Sequence, residues 1–225
     1  TRVVYVADRD TDEVFELYSV PTDNSGPAVK VSAPLVTGGD VNNDLALTPD
    51  SRHAIYSADA TVDGLVEIFS APLDGTGPTV FLARTGTQGA HKTTDTHVII
   101  HGAVLGPESE LTSVPIDGSL PPNRLHEPLS SGSSIGADFE LVPGGGLVVF
   151  RLTTVTHAQT LLRSPIDAST PPLVLEDQRE VADFVVSPDG SAVAYRARGG
   201  TEPFALFVVP MTGGPARRAS TDLVA

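Results

Sequence analysis

Two apolar runs near the C-terminal end decide the fold. Ser187-Pro188-Asp189-Gly190-Ser191-Ala192-Val193-Ala194-Tyr195 is followed, after a polar loop, by Phe204-Ala205-Leu206-Phe207-Val208-Val209-Pro210-Met211-Thr212-Gly213-Gly214. A Pro-Asp-Gly turn leads into one short strand, and a second strand ends at Pro210, where ladder pairing must stop. The ending recurs upstream at Ser19-Val20-Pro21-Thr22-Asp23, Ser70-Ala71-Pro72-Leu73-Asp74, Ser113-Val114-Pro115-Ile116-Asp117 and Arg163-Ser164-Pro165-Ile166-Asp167. Successive marker prolines are 51, 43, 50 and 45 residues apart.

A second marker lies between these endings in the same order: Asp44-Leu45-Ala46-Leu47-Thr48-Pro49-Asp50, Asp138-Phe139-Glu140-Leu141-Val142-Pro143-Gly144 and Asp183-Phe184-Val185-Val186-Ser187-Pro188-Asp189-Gly190. Each repeat reads as four short strands. The second strands are predicted at 3–6, 54–56, 98–100, 147–150 and 192–195, and the third at 15–20, 66–71, 111–114, 160–164 and 204–209. Short outer strands are predicted at 28–32, 79–83 and 173–175. Runs of this length between turn signals indicate an all-β chain. They are continuously apolar rather than alternating, which predicts sheets buried on both faces. Four strands per repeat of roughly 45 residues, stacked radially, make a β-propeller.

With residues 187–195 and 204–214, the chain resembles the TolB-type, WD-like propeller repeat. Asp50-Ser51 and Pro143-Gly144-Gly145 are weaker copies, and Thr94-Asp95-Thr96 departs most from the pattern. The resemblance covers the whole chain and specifies fold more than activity. It implies an extracytoplasmic setting, periplasmic or secreted. The same repeat builds periplasmic scaffolds, gating propellers of prolyl-oligopeptidase-like peptidases and many secreted proteins.

The first repeat begins at its second strand. Asp222-Leu223-Val224-Ala225 matches the innermost strand of the other repeats. The expected fold is therefore one domain of five four-stranded blades, closed by the C-terminal strand joining the N-terminal blade. The repeats are expected at about 1–36 with 221–225, 37–83, 84–130, 131–176 and 177–220. The rival is a cut from a six- or seven-bladed ring. The opening Thr1-Arg2-Val3-Val4-Tyr5 reads as a mature or excised segment.

Composition narrows the function. Fourteen basic against 28 acidic residues give a net charge of −14, which argues against nucleic acid or anionic lipid as partner. No apolar run is long enough to span a membrane. The chain has no cysteine, which excludes disulfides, thiol catalysis and thiolate metal sites.

Asp44, Asp138, Asp183 and Asp222 share one repeat position, predicted to lie near a channel mouth, with Gly89 there in the remaining repeat. Strand parity places Glu140 and His91 on the same faces as their local Asp positions. These six residues are the ligand or channel-mouth candidates. A cation or polyol site is one reading. The other is architectural, each Asp accepting backbone N–H bonds from a neighbouring turn. Asp8, Asp10 and Asp12 resemble the opening of a calcium loop but lack its sixth-place Gly and closing Glu, so solvated loops are expected there. No cofactor or metal is expected, calcium being the ion such a loop would take.

Gly132-Ser133-Ser134-Ile135-Gly136 matches the pattern of a nucleophile elbow, but a strand rather than the required helix is predicted after it. His97 and His101 share a strand face at about 13 Å, too far apart for one ion. The variable hairpin loops at 8–13, 58–64, 103–109, 152–157 and 197–203 offer a binding face. Two functions are expected. One is a non-catalytic scaffold presenting loops or a channel mouth to a protein or small ligand. The other is a five-bladed, glycosidase-like enzyme using Asp44, Asp138, Asp183 and Glu140, which would need two carboxyls about 5–9.5 Å apart.

Overall fold

A computed structural model describes residues 1–85, 90–106, 109–154 and 159–220. Among these every regular element is a β-strand. Sheet I comprises β1 (Arg2–Ala7), β2 (Glu16–Pro21) and β3 (Val29–Lys30) in chain order. Sheet II comprises β4 (Ala46–Leu47), β5 (His53–Ala58), β6 (Glu67–Pro72) and β7 (Val80–Arg84), and sheet III comprises β8 (Ala90–Thr93), β9 (His97–Gly102), β10 (Glu110–Pro115) and β11 (Asn123–Arg124). In sheet IV, β12 (Ser134–Ile135) and β13 (Glu140–Leu141) both pair with β14 (Leu147–Thr153), which is followed by β15 (Gln159–Pro165) and β16 (Leu173–Glu176). Sheet V comprises β17 (Glu180–Val186), β18 (Ala192–Arg198), β19 (Ala205–Pro210) and β20 (Arg217–Arg218).

The marker proline has one structural meaning. It stands opposite the first residue of the second strand in four sheets, as Arg2↔Pro21, His53↔Pro72, Leu147↔Pro165 and Ala192↔Pro210. A residue without an N–H closes each ladder there. The following turn also repeats. Asp23, Asp74, Asp117 and Asp167 each accept the N–H of the residue two positions on, at 3.0 Å. The residue after the Asp is left-handed: Asn24 (φ 58°), Gly75 (71°), Gly118 (65°) and Ala168 (52°), with Gly213 (84°) at the matching place in sheet V.

Predicted strand centres hold, but second strands extend to Ala7, Ala58, Gly102, Thr153 and Arg198, because backbone pairing continues past the apolar run. Thr94-Asp95-Thr96, the most divergent copy, still makes the hairpin. Thr94 N–H donates to His97 O at 2.9 Å, as Thr48 does to His53 O and Ser187 to Ala192 O, in a turn two residues shorter.

Contacts group the chain into two compact units, Thr1–Pro107 with Thr112–Pro122 and the rest of the described chain. In the first, Leu17, Val31, Val41, Tyr56 and Phe69 pack between sheets I and II, and Ile55, Ile68, Leu82, Ile100 and Val114 between sheets II and III. In the second, Val149, Leu161, Val181, Tyr195 and Phe207 pack between sheets IV and V. Central strands such as β6 and β10 are buried on both faces, as expected. Sheets I and V correct that expectation. β18 and β19 alternate, leaving Leu206 exposed beside buried Phe207, and Val3 of β1 and Val185 of β17 are also exposed. Sheet I has three strands among the described residues. Residues 221–225, expected to supply its fourth, lie outside them, as do Gly89 and Asp222.

Candidate functional site

Asp44 and Asp138 lie two residues before the inner strands β4 and β13, whereas Asp183 lies within β17. Each is set against a residue 13 positions later. Asp138 Oδ2 is 2.6 Å from Arg151 Nη2, and Asp183 Oδ2 is 2.6 Å from Arg196 Nη2. Asp44 Oδ1 accepts from Ser57 Oγ at 2.7 Å and from Ser57 N–H at 3.2 Å. The repeated position is thus a cross-strand lock, in which each carboxylate meets the hydroxyl or guanidinium of the neighbouring strand.

Arg151 does more than neutralise Asp138. Its Nη1 donates to Val181 O at 2.9 Å, Ala182 O at 2.6 Å and Gln159 Oε1 at 3.0 Å, so it ties sheet IV to sheet V. Glu140 makes a second tie between these sheets, its Oε2 accepting Val186 N–H at 2.8 Å. One of the two readings of the sequence had each Asp accept backbone N–H bonds from a neighbouring turn. The backbone donors found are strand residues, Ser57 of β5 to Asp44 and Val186 of β17 to Glu140. At Asp138 and Asp183 the partner is an arginine, because the strand opposite carries one.

His91 and Asp44 are brought together, with Nδ1 3.9 Å from Oδ2. That exceeds hydrogen-bond length. The buried imidazole is bonded instead to the backbone of Ile55, and burial holds its pKa below the usual value despite the opposing Asp44 charge. His91 is therefore a neutral ring at neutral pH, not the cation of an ion pair. Ser57, Asp44 and His91 form no nucleophilic triad, since the Ser57 hydroxyl donates to Asp44 rather than to the imidazole. At the elbow-like motif, Ser134 lies in β12 and no helix follows.

Asp10 is committed to Lys30, at 3.1 Å, while Asp8 and Asp12 stand exposed in their loop. Among the described residues no group of three or more His, Asp or Glu is arranged to hold a metal ion.

A second set of carboxylates was missed in the sequence. Glu16, Glu67, Glu110 and Glu176 are all buried. Each meets a cation: Lys30 at 2.8 Å, Arg84 at 2.8 Å, Arg124 at 2.7 Å and Arg179 at 2.7 Å respectively. Tyr18 and Tyr195 hydroxyls donate to Glu16 and Glu176, and burial first, then these carboxylates, push both phenols well above their usual pKa. Glu67 also accepts the N–H and hydroxyl of Thr61, at 2.9 and 2.6 Å. The signal was present. Glu-Leu-Tyr-Ser-Val-Pro, Glu-Ile-Phe-Ser-Ala-Pro and Glu-Leu-Thr-Ser-Val-Pro each place a Glu five residues before a marker proline.

No family model and no curated protein sequence matches the chain. Solved structures do. TolB from Acinetobacter baumannii is 16% identical, with 94% of this chain and 49% of that one covered and a TM-score of 0.50. A prolyl endopeptidase, from a study of two such enzymes, is 9% identical, with 97% and 33% covered and a TM-score of 0.59. A puromycin-hydrolyzing peptidase from Mycobacterium tuberculosis is 14% identical, with 100% and 36% covered and a TM-score of 0.53. The fold is a TolB-like β-propeller fold. At these identities the likeness extends to the fold alone, and the chain spans about half of that TolB and about a third of either peptidase. Among the described residues of this propeller-type chain, no helix is long and apolar enough to cross a membrane.

Proposed function

We propose that the chain is a non-catalytic propeller module that presents its loops, or the mouth bounded by its inner strands, to a protein or small-molecule partner. The observation that carries this reading is how the candidate acids are used. Asp138 and Asp183 are held by arginines, Asp44 by Ser57 and Glu140 by a backbone N–H. A glycosidase needs one carboxyl kept protonated and another left open to the sugar, and carboxylates locked to their own framework suit neither role. The test is hydrolysis of a panel of chromogenic glycosides by the whole chain and by Asp138→Asn and Asp183→Asn variants. No turnover is expected from any of them. Cleavage by the parent that either variant abolishes would overturn the reading in favour of the glycosidase.

The proposed ring has five blades and closes through residues 221–225 on the inner edge of sheet I. Truncation after Ser220 is expected to lower the unfolding midpoint, and an unchanged midpoint would argue against closure. The proposed compartment, periplasmic or secreted, rests on the TolB resemblance. A second reading is the propeller portion of a longer hydrolase, favoured by alignment of nearly the whole chain with a third of a prolyl endopeptidase. The sequence flanking this segment in its gene decides between a free-standing module and a hydrolase accessory.

A further inference from the structure

A cleft of about 490 Å³ lies away from every residue of the inner-strand set, in the first compact unit. Its walls include Arg2, Arg52, His53, Pro72, Leu73 and Asp74. Two guanidinium groups line it on a chain of net charge −14, with Asp74 in the lining and Asp50 beside Arg52 as their counter-charges. Its volume falls in the range of small-ligand sites.

The groups are held in place before any ligand arrives. Arg2 Nε and Nη2 donate to Ser19 Oγ and Ser19 O, at 2.7 and 3.2 Å, which fixes the plane of the guanidinium and leaves Nη1 to a ligand. Asp74 is fixed by its turn, Oδ1 accepting from Thr76 N–H and Thr76 Oγ1 at 3.0 and 2.7 Å, which leaves Oδ2 as an acceptor. The opposite wall is the tight turn at Ser51 (φ 57°), whose following residues Arg52 and His53 donate their N–H groups to Thr48 Oγ1. Leu73 N–H donates to Arg52 O at 2.8 Å and joins the two walls. The Arg52 side chain is 80% exposed and only 3.8 Å from Asp50, so its donors are not consumed by that pair. His53 Nδ1 is buried with no hydrogen-bond partner among the described residues, a polar atom whose exclusion from water nothing in the fold offsets.

We propose that this cleft binds a small organic carboxylate. The planar fork of Arg52, with Nη1 of Arg2 as a further fixed donor, suits the paired oxygens of a carboxylate. Asp74 Oδ2 accepts from a hydroxyl or ammonium on the same ligand, and Pro72 and Leu73 cover its apolar part. The site shares no residue with the inner-strand carboxylates, so it stands whether the chain is a scaffold or part of a hydrolase.

Isothermal titration of succinate and citrate into the full chain at neutral pH and low salt tests the site, with succinamide as the uncharged control and sulfate and phosphate as inorganic anions. Saturable binding of the carboxylates is expected, with succinamide inert and the inorganic anions weaker. Arg52→Gln removes an exposed group with no role in the core and is expected to weaken succinate by about five-fold or more. Arg2→Lys keeps the charge but loses the Nη1 donor that Ser19 holds in place and is expected to do the same, with an unfolding midpoint close to that of the parent. No heat with either carboxylate at tens of millimolar would overturn the proposal. So would unchanged affinity in Arg52→Gln, or sulfate binding as tightly as succinate.

Discussion

Asp138, between β12 and β13, faces Arg151 of β14, Oδ2 to Nη2 at 2.6 Å, and the same arginine holds two carbonyls of sheet V. The two partners are therefore unequal. Asp138→Asn removes a charge that is 43% exposed and leaves Arg151 its carbonyl bonds, at a cost of about 0.5–1 kcal/mol. Arg151→Gln strips Val181 O, Ala182 O and Asp138 together, at about 2–3 kcal/mol. Urea unfolding of both variants checks the asymmetry, and equal losses would contradict it. The sheet V counterpart, Asp183 with Arg196, is 58% and 46% exposed, so Asp183→Asn should cost at most about 1 kcal/mol and less as salt rises.

His91 gives the chain a pH dependence near neutrality. Burial holds the folded ring below the usual value of about 6.5, to which the unfolded chain returns. Below that value the unfolded chain binds more protons than the folded one, so stability falls as pH drops. The loss levels off once pH passes the folded pKa. His126 is lowered by burial in the same way and adds to the slope. In urea unfolding between pH 7 and 5, His91→Gln is expected to flatten this slope. An unchanged slope would mean that His91 binds protons equally in the folded and unfolded chain, and a steeper one that the fold favours its protonated form.

The strands were legible in the sequence because a proline and an Asp-Gly turn punctuate them at a repeated spacing, and local chemistry alone fixes such turns. The shared position of Asp44, Asp138 and Asp183 was equally legible. Their partners were not, because Ser57, Arg151 and Arg196 are set against them only by pairing register, which the apolar pattern does not reveal to the residue. Glu67 was hidden for a different reason. A charged residue at a strand end reads as solvated, and only packing between sheets makes it buried. The exposure of Val185 and Leu206 was invisible too, since an apolar residue in a strand reads the same in sequence whether it ends up buried or exposed.

Glu67 shows what a buried carboxylate is worth here. It is fully buried, and Thr61 and Arg84 supply three hydrogen bonds to it. Burial pushes its pKa up, but those donors more than offset it and leave the carboxyl below its ordinary value. Its contribution is therefore present above about pH 4.5 and is lost as pH falls below that, a window well under that of His91. Glu67→Ala should cost about 2–4 kcal/mol at pH 7, and less at pH 3. A penalty independent of pH would show that the side chain acts through shape rather than charge.

Ala168 departs from the rule set by its four counterparts. The turn after each marker proline needs a left-handed residue, and Asn24, Gly75, Gly118 and Gly213 all tolerate it, whereas Ala168 holds φ 52° with a Cβ. A non-glycine residue in this region carries a strain of about 1 kcal/mol or more, while glycine adds roughly 0.5 kcal/mol of unfolded-state entropy. Strain is the larger effect, because the bonds that force the conformation, Ala168 N–H to Pro165 O and Ser169 N–H to Asp167 Oδ1, are both retained. Ala168→Gly should therefore raise stability by about 0.5 kcal/mol and the midpoint by roughly 1–2 °C. Ala168→Val, which adds a β-branch at the same φ, should lower both. Differential scanning calorimetry of the pair reads the sign directly, and a glycine variant less stable than its parent would show that the turn relaxes without strain at this position.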